Sequence, residues 1–389
     1  MISVTEAKQI IRANIRALPS SLVNLADAGN SVLAENIYAA VDIPAFDQSN
    51  VDGYAIRFSE KDITLDIDGE ITAGSEIIKS LSKKKAIRIF TGAPAPEGAD
   101  TIVMQENTAA ANNTLTINDP ALSKGMNLRP RGTDIRKDEL ALEEGTLLTP
   151  AAIGYLAAVG SAKVNIYRPP ALTLIITGNE LAQPGLPLRT GQVYDSGSFA
   201  LKSALQLHGI RSPEILHCQD DPHELTLALR HALSESDMVI LTGGVSVGEY
   251  DFVSQAAENC GVTKLFHRVK QRPGKPLYFG MKDDKPIFGL PGNPSSILTC
   301  MYVYVSLALN MYLHKKESLY QPAILKNAYR KTAGLTHFMK GMYNAGYVEI
   351  LTGQESYRMS SFAKSNCLVI LPETETEFKP GYQTQVHLL

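Results

Sequence analysis

Residues 171–178 read ALTLIITG, an apolar run closed by a glycine. A run of that length predicts a strand buried on both faces that ends in a glycine loop. Two later stretches share its grammar: EILHC (214–218), which leads to Asp220-Asp221, and DMVILTGG (237–244), which ends in glycines. Helical patterns fit 196–208 and 222–234, and another helix starts at about 251. Strands near 264–269 and 286–289 come next, then a long apolar helix from about 297 to 313. Strand and helix alternate, so 169–318 is expected to be a parallel α/β domain. In such sheets ligands sit beyond the carboxyl ends of the strands. The loops after Ile176, Cys218, Leu241, Val269 and Leu290 are therefore where a site is expected.

Outward from this domain the pattern changes on both sides. Residues 3–17 predict a helix, with Ser3 and Glu6 spaced as a capping box and Ala7, Ile10, Ile11 and Ile15 as its apolar stripe. From 42 to 140, short β-type runs (63–67, 86–90, 101–104, 114–117) are punctuated by Gly, Pro and Asn-Asn, which predicts a small β-rich domain. TPAAIGYLAAVG (149–160) reads as one helix ended by Gly160. After 319, β-type runs at 346–351, 367–371 and 385–389, with turns at Gly353 and Pro380-Gly381, predict a C-terminal β domain.

The chain has 389 residues, enough for several domains, and its 44% apolar and 20% charged content suits a core-forming protein. A net charge of −3 argues against a surface that coats nucleic acid or an anionic membrane. Cys218, Cys260, Cys300 and Cys367 form no CxxC pair, which argues against a zinc ribbon or a disulfide scaffold and for a reduced, cytoplasmic chain. The N-terminus lacks the apolar core of a signal peptide. Residues 286–314 carry no charge, yet they open with GLPGNP and include Thr299, Ser306 and Asn310; a helix buried inside the protein is expected rather than a membrane span.

Each α/β loop carries residues of a telling kind: TGNEL (177–181) with Glu180, Asp220-Asp221, TGGVSVGEYD (242–251), RPGKP (272–276) and LPGNPS (290–295). If they share one edge, that edge combines glycines, exposed backbone N–H groups, carboxylates and two cations, the makings of a site for a phosphate-bearing ligand and a divalent metal. Gly243-Gly244 lets backbone approach an anion, and a following helix N-terminus favours negative charge. Carboxylates beside phosphates repel them unless a hard cation intervenes, and Mg²⁺ takes one or two carboxylates plus phosphate oxygens and water. Asp220 and Asp251 are the first choices for that role. Arg272 and Lys275, stiffened by Pro273 and Pro276, suit a compact oxyanion. Blander readings stand beside these: Gly-Gly as a tight turn, Asp220-Asp221 or Glu180 as helix caps, Arg272 as a solvated charge. A second cluster lies in VDGYA (51–55), TGAPAPEGAD (91–100) and NLRPRGTD (127–134), where Asp52, Thr91, Arg129 and Asp134 sit in glycine-containing turns; taken alone it reads as turn chemistry.

In order along the whole chain, SNVDGYA, TGAPAPEGAD, RGTDI, TGNEL, GGVSVGEYD, PGKP, GLPGNP and SNCLVILP resemble the MoeA-type molybdopterin molybdenumtransferases, the family that includes the C-terminal domain of gephyrin. The related adenylyltransferases share the α/β domain but usually carry GGTG where this chain has GGVS. The resemblance implies an elongated homodimer of four-domain subunits: a linking, dimerising domain (1–41 and 141–168), a β-rich domain (42–140), a molybdopterin-binding α/β domain (169–318) and a C-terminal barrel-like domain (319–389). It implies Mg²⁺-dependent reaction of adenylylated molybdopterin with molybdate, release of AMP, and contact with the adenylyltransferase of the preceding step. By motif, Asp52, Thr91, Asp134, Glu180, Asp220, Ser246 and Asp251 would be catalytic, with the first cluster facing the second across the dimer. Glu180, Asp220 and Asp251 would hold the metal; Arg129, Arg272, Lys275, Pro276, Pro291, Pro294 and Ser361 would bind molybdate or the adenylate. Three positions depart from the family: Arg272 stands where Lys is common, Asn179 where Asp is, Gly197 where Asn is. The family's last domain also supplies an Arg near the molybdate, for which Lys340 is the nearest candidate here. A non-catalytic scaffold, or a molybdate- or nucleotide-binding protein of the same fold, is the alternative.

Overall fold

All six residues of the strand Leu172–Thr177 are buried, as the opening run predicts. The reason is visible in the alternation. Leu172, Leu174 and Ile176 face one apolar cluster and Ile175 faces another, so both sides of the strand are covered. The computed structural model describes residues 1–76, 80–245, 252–316 and 320–389. Two compact units divide it: Met1–Ser21, Asn30–Val32 and Tyr167–Leu389 form one, and Leu22–Gly29 with Leu33–Ile166 form the other.

In the first unit Leu172–Thr177 pairs in parallel with Glu214–Cys218 on one side and with Met238–Thr242 on the other; Lys285–Leu290 then adds in parallel to Met238–Thr242. The six-stranded sheet is not wholly parallel, which corrects the sequence reading. Tyr278–Lys282 runs antiparallel to Lys285–Leu290, and Thr263–His267 runs antiparallel to it in turn. The missed hairpin turns at Asp283-Asp284, with Asp283 at φ +54°, a conformation Asp tolerates but which the sequence does not signal as Asn-Gly would. Two reversals restore direction. The carboxyl ends at Thr177, Cys218, Thr242, His267 and Leu290 therefore all lie on one edge, and the chain re-enters there at Tyr278.

Helices Val4–Asn14, Gly197–Leu207 and Pro294–Tyr312 cover one face of the sheet; Pro222–Glu235 and Phe252–Asn259 cover the other. The capping box closes as read, Ser3 N–H donating to Glu6 Oε2 at 2.7 Å and Glu6 N–H to Ser3 Oγ at 3.1 Å. Pro294–Tyr312 is apolar and long enough to cross a membrane, but 89% of it is buried within the fold, so it is a core helix. Its middle, Met301–Val305, is a π-helical turn. C-terminal to it a sheet closes on itself, because Thr336–Asn344 pairs with both Tyr347–Ile350 and Cys367–Leu371; Tyr320–Leu325 and Gln383–Leu388 complete the ring. The short strand Gln271–Arg272 joins Thr336-His337 in parallel, which docks the RPGKP loop on this barrel.

The second unit carries a curled six-stranded sheet in the order Thr101–Met104, Gly53–Ile56, Lys85–Ile89, Leu65–Ile71, Thr114–Ile117, Thr108–Ala111. Gly53–Ile56 is not legible as a strand because it is only four residues long and opens on a glycine, so VDGYA reads as a turn. Gly53 cannot be replaced without breaking this sheet, since a Cβ there would lie 1.9 Å from the carbonyl oxygen of Val103. Helix Pro150–Ala158, capped by Thr149, packs on a separate apolar cluster that includes Leu33, Leu148, Leu156 and Val164.

Burial pushes His208, His337 and His387 each down to about 4. The unfolded chain takes up those protons near pH 6.5, and the fold does not until about pH 4. Protonation therefore favours the unfolded state across that window. The unfolding free energy of the first unit is expected to fall steadily on acidification from pH 6.5 to 4, read by urea denaturation at each pH, and His387→Gln should flatten the fall. A profile level across the window would show that the folded protein accepts these protons freely.

Candidate active site

The strand-end edge is built by backbone as much as by side chains. Gly243, at φ +84°, lies so close to the carbonyl of Thr177 that a Cβ would come within 2.3 Å of its oxygen. Gly292 approaches Gly243 in turn. The two aspartates after Cys218 divide their labour. Asp221 is the cap of helix Pro222–Glu235, accepting from the N–H groups of His223 and Glu224 at 2.9 Å each. Asp220 instead accepts the hydroxyl proton of Thr177, and its N–H donates to Asn179 Oδ1 at 3.2 Å. Asn179 thus serves as an acceptor that adds no charge. Glu180 is exposed, with its carboxylate folded over Gly178. Burial, then the charges of Glu224 and Asp220, push the Cys218 thiol up to about 11, which leaves it protonated and unsuited to attack or ligation. Ser246 and Asp251 lie outside the described residues.

The RPGKP loop alternates in exposure. Arg272 and Lys275 are exposed, while Pro273 and Gly274 between them are buried and Pro276 is half-buried. Gly274, at φ +83°, lies against Cys300 and Ser296 in the first turns of helix Pro294–Tyr312. The segment 353–361 meets the same helix start, where Ser295 N–H donates to Ser356 O at 3.1 Å. Pro291 is buried and Pro294 half-buried at that junction.

Two expectations change here. Lys340 does not face outward. It is 2% exposed, and its ammonium donates to the carbonyls of Gly353, Glu355 and Arg358 at 2.9, 3.2 and 3.2 Å. Burial lowers its pKa to about 8. Ser361 is buried too, its hydroxyl donating to Gly353 O at 2.5 Å with Arg358 O at 3.2 Å. Both side chains shape the 353–358 turn rather than offering protons outward. The cation that this turn presents is Arg358, which the sequence reading passed over; it is half-exposed and paired with Glu355 at 3.0 Å. Its only signal was adjacency to Ser361 in SYRMSS.

A groove of about 200 Å³ flanks the edge strand Glu214–Cys218, lined by Leu181, Gln183, Asp195, Phe199, Lys202 and His217. Asp195 caps the adjoining helix, accepting from Ser198 N–H at 2.9 Å and Ser198 Oγ at 2.5 Å. Gly197 has a steric reason: a Cβ there would meet Ile297 at 2.9 Å, so a larger residue requires Ile297 to move.

In the second unit Asp52 and Thr91 are in direct contact. Asp52 Oδ1 accepts from the N–H and the hydroxyl of Thr91, both at 2.8 Å. Arg129 is exposed on the ladder that pairs Leu128-Arg129 with Gln48-Ser49, and Ser49 also binds the 92–93 turn. The N–H of Asp134 donates to Ile43 O at 2.9 Å, and its charge reaches Tyr155.

Among the described residues no group of three or more His, Cys, Asp and Glu side chains is placed to hold a metal. The donors gathered at the strand ends are the Asp220 carboxylate, the Thr177 hydroxyl and the Asn179 amide. That all-oxygen set suits a hard cation that draws its other ligands from substrate phosphates and water rather than from a protein cage.

A closed C-terminal sheet, an α/β sheet with glycine-rich strand ends, and a cationic loop between them make up the first unit. Family models of the MoeA N-terminal region (domain I and II), a probable molybdopterin-binding domain and the MoeA C-terminal region (domain IV) match residues 2–160, 173–310 and 322–389. Molybdopterin molybdenumtransferase of Haemophilus influenzae is 35% identical over 92% of the chain and 91% of its own length; that of Staphylococcus aureus is 32% identical over 100% and 95%. The crystal structure of a molybdopterin biosynthesis MoeA protein from Pyrococcus horikoshii covers 100% of this chain and 99% of its own, with 28% identity and a TM-score of 0.82. The chain belongs to the MoeA family of molybdopterin molybdenumtransferases, and it is a transferase of molybdenum cofactor biosynthesis.

The backbone N–H of Thr91, and then its hydroxyl, hold the Asp52 carboxyl below its usual range. Thr91→Val removes only the hydroxyl. The Asp52 pKa, followed by carboxyl-carbon NMR, is expected to rise while staying below the ordinary value; an unchanged pKa would show that the hydroxyl bond is not formed in solution.

Proposed function

We propose that the chain joins molybdate to adenylylated molybdopterin with Mg²⁺-dependent release of AMP. The observation that carries this reading is the RPGKP loop: two exposed cations, three residues apart, flank a buried Pro-Gly beside the edge where Asp220 and the strand-end glycines lie. Molybdate is a compact dianion that water solvates well, and concentrated positive charge is needed to compete. Arg272 and Lys275 supply it. Gly243 and Gly244 let backbone N–H groups come close to the phosphates of the adenylate, which no side chain bulk obstructs. Asp220 is held in place by Thr177 and would, with Glu180 and Asp251, carry the Mg²⁺. When bound, that ion neutralises the phosphates and eases departure of AMP. Without it, Asp220 would repel the anhydride.

The proposal includes a homodimer, hand-over of the adenylate from the preceding adenylyltransferase, and a cytoplasmic setting. Exposed Leu186, Leu188, Val193, Tyr194 and Phe199 on one excursion of the α/β domain support self-association, and four free cysteines support a reducing compartment.

Purified protein given adenylylated molybdopterin, Mg²⁺ and molybdate is expected to release AMP in a molybdate-dependent way. Asp220→Asn should cut turnover by about 100-fold, because a metal-assisted step supplies several kcal/mol. Lys275→Ala should raise the molybdate requirement about tenfold, the scale of one charged hydrogen bond, with partial rescue at high molybdate. Absence of molybdate-dependent AMP release from folded wild type, beside an active relative, overturns the proposal. A wild-type titration for Lys275→Ala would remove this loop from the anion site.

A further inference from the structure

The loop that displays Arg272 and Lys275 is tied from beneath by a side chain that no motif contains. Gln271 is fully buried, and its amide nitrogen donates both protons inward: to Pro273 O at 3.0 Å and to Gly274 O at 3.0 Å. Its amide oxygen accepts the hydroxyl proton of Tyr304, itself fully buried. The thiol of Cys300 completes the cluster, 3.6 Å from the Gln271 nitrogen and 3.8 Å from Gly274 O. Tyr304 lies in the π-helical turn Met301–Val305, and such turns are uncommon and recur at functional sites.

The chemistry of this cluster is specific. Two neighbouring carbonyls point into an apolar core, where an unpaired carbonyl is costly. One primary amide satisfies both, and only because its oxygen is anchored does its nitrogen face the loop. With the Pro273 and Gly274 carbonyls held inward, the flanking side chains are left outward, as the exposure of Arg272 and Lys275 shows. A side chain at Gly274 is excluded for the same reason, since its Cβ would lie 2.6 Å from Cys300 Sγ and 2.8 Å from Gln271 Nε2.

We infer that Gln271 and Tyr304 are positioning residues for the anion-binding loop, fixing the backbone between Arg272 and Lys275 so that both cations address one tetrahedral dianion. The inference rests on the proposed molybdate site. It assigns the pair to ground-state capture of molybdate, not to the later release of AMP, so the two steps should respond differently.

Gln271→Leu, Tyr304→Phe and the double variant are assayed for molybdate-dependent AMP release beside wild type and Lys275→Ala, with thermal unfolding measured on each. Gln271→Leu should raise the molybdate KM about tenfold and Tyr304→Phe about threefold, with kcat at saturating molybdate within about twofold of wild type, because orientation and not chemistry is damaged. The double variant should be no worse than Gln271→Leu alone, since Tyr304 acts only through Gln271. If Gln271→Leu fails to fold, Tyr304→Phe decides alone, as it deletes a single oxygen. Wild-type KM values in folded Gln271 and Tyr304 variants, with Lys275→Ala still impaired, would overturn the positioning role and leave the anion site standing. Parallel losses of kcat, KM and unfolding temperature would overturn it in favour of a purely structural role. A wild-type chain with no molybdate-dependent AMP release would fail the proposed function instead.

Discussion

The contact between Gly243 and the carbonyl of Thr177 governs the strand-end edge. It joins two adjacent strand ends backbone to backbone, with no room for a Cβ. A side chain at Gly243 would force the strand ends apart and carry Thr177 away from Asp220, whose carboxylate it orients. The edge can present oxygen and N–H groups to a ligand because glycine removes the bulk that would otherwise fill it. Across the sheet, Thr263–His267 ends at the same edge and Tyr278–Lys282 starts from it, so the RPGKP loop between them is part of it, and the hairpin at Asp283-Asp284 then brings the chain back there at Leu290.

A second constraint works from beneath. Carbonyls that turn away from solvent need donors, and this chain satisfies them twice with a single buried group. Lys340 gathers the carbonyls of Gly353, Glu355 and Arg358; Gln271 gathers those of Pro273 and Gly274. Each draws a turn inward and leaves cations outward, Arg358 in one case and Arg272 with Lys275 in the other. Both turns meet the first turns of helix Pro294–Tyr312, so that helix is a common footing for the C-terminal barrel and the RPGKP loop.

Much of this was legible in the sequence. The run from Leu172 to Thr177, the Ser3–Glu6 capping box and the burial of the charge-free helix follow from local patterns, and the structure has all three. The five loops were legible as a group because glycine, proline or charge follows each strand. What was hidden depends on direction or distance. Tyr278–Lys282 is buried up to Met281 and turns through Asp-Asp, so neither alternation nor turn chemistry marks it. A lysine in a strand of a closed barrel faces the lumen or the outer side according to register; Met339 takes the barrel core, and Lys340 lies on the other face with Phe338, buried there beneath the 353–358 turn. Asp220 and Asp221 are neighbours of identical chemistry; only the partner each finds separates cap from site. Gln271 and Tyr304 are 33 residues apart and belong to no motif, so their bond is visible only in three dimensions.

The proposed molybdate site is the RPGKP loop, held by Gln271. Diffraction at the molybdenum absorption edge from crystals soaked in molybdate tests it most directly, because the metal's anomalous signal locates the anion without reference to activity. A single strong peak is expected within hydrogen-bond reach of both Arg272 and Lys275, markedly weaker at the same molybdate concentration when Lys275 is replaced by Ala. A peak elsewhere on the chain, with none at this loop, would contradict it.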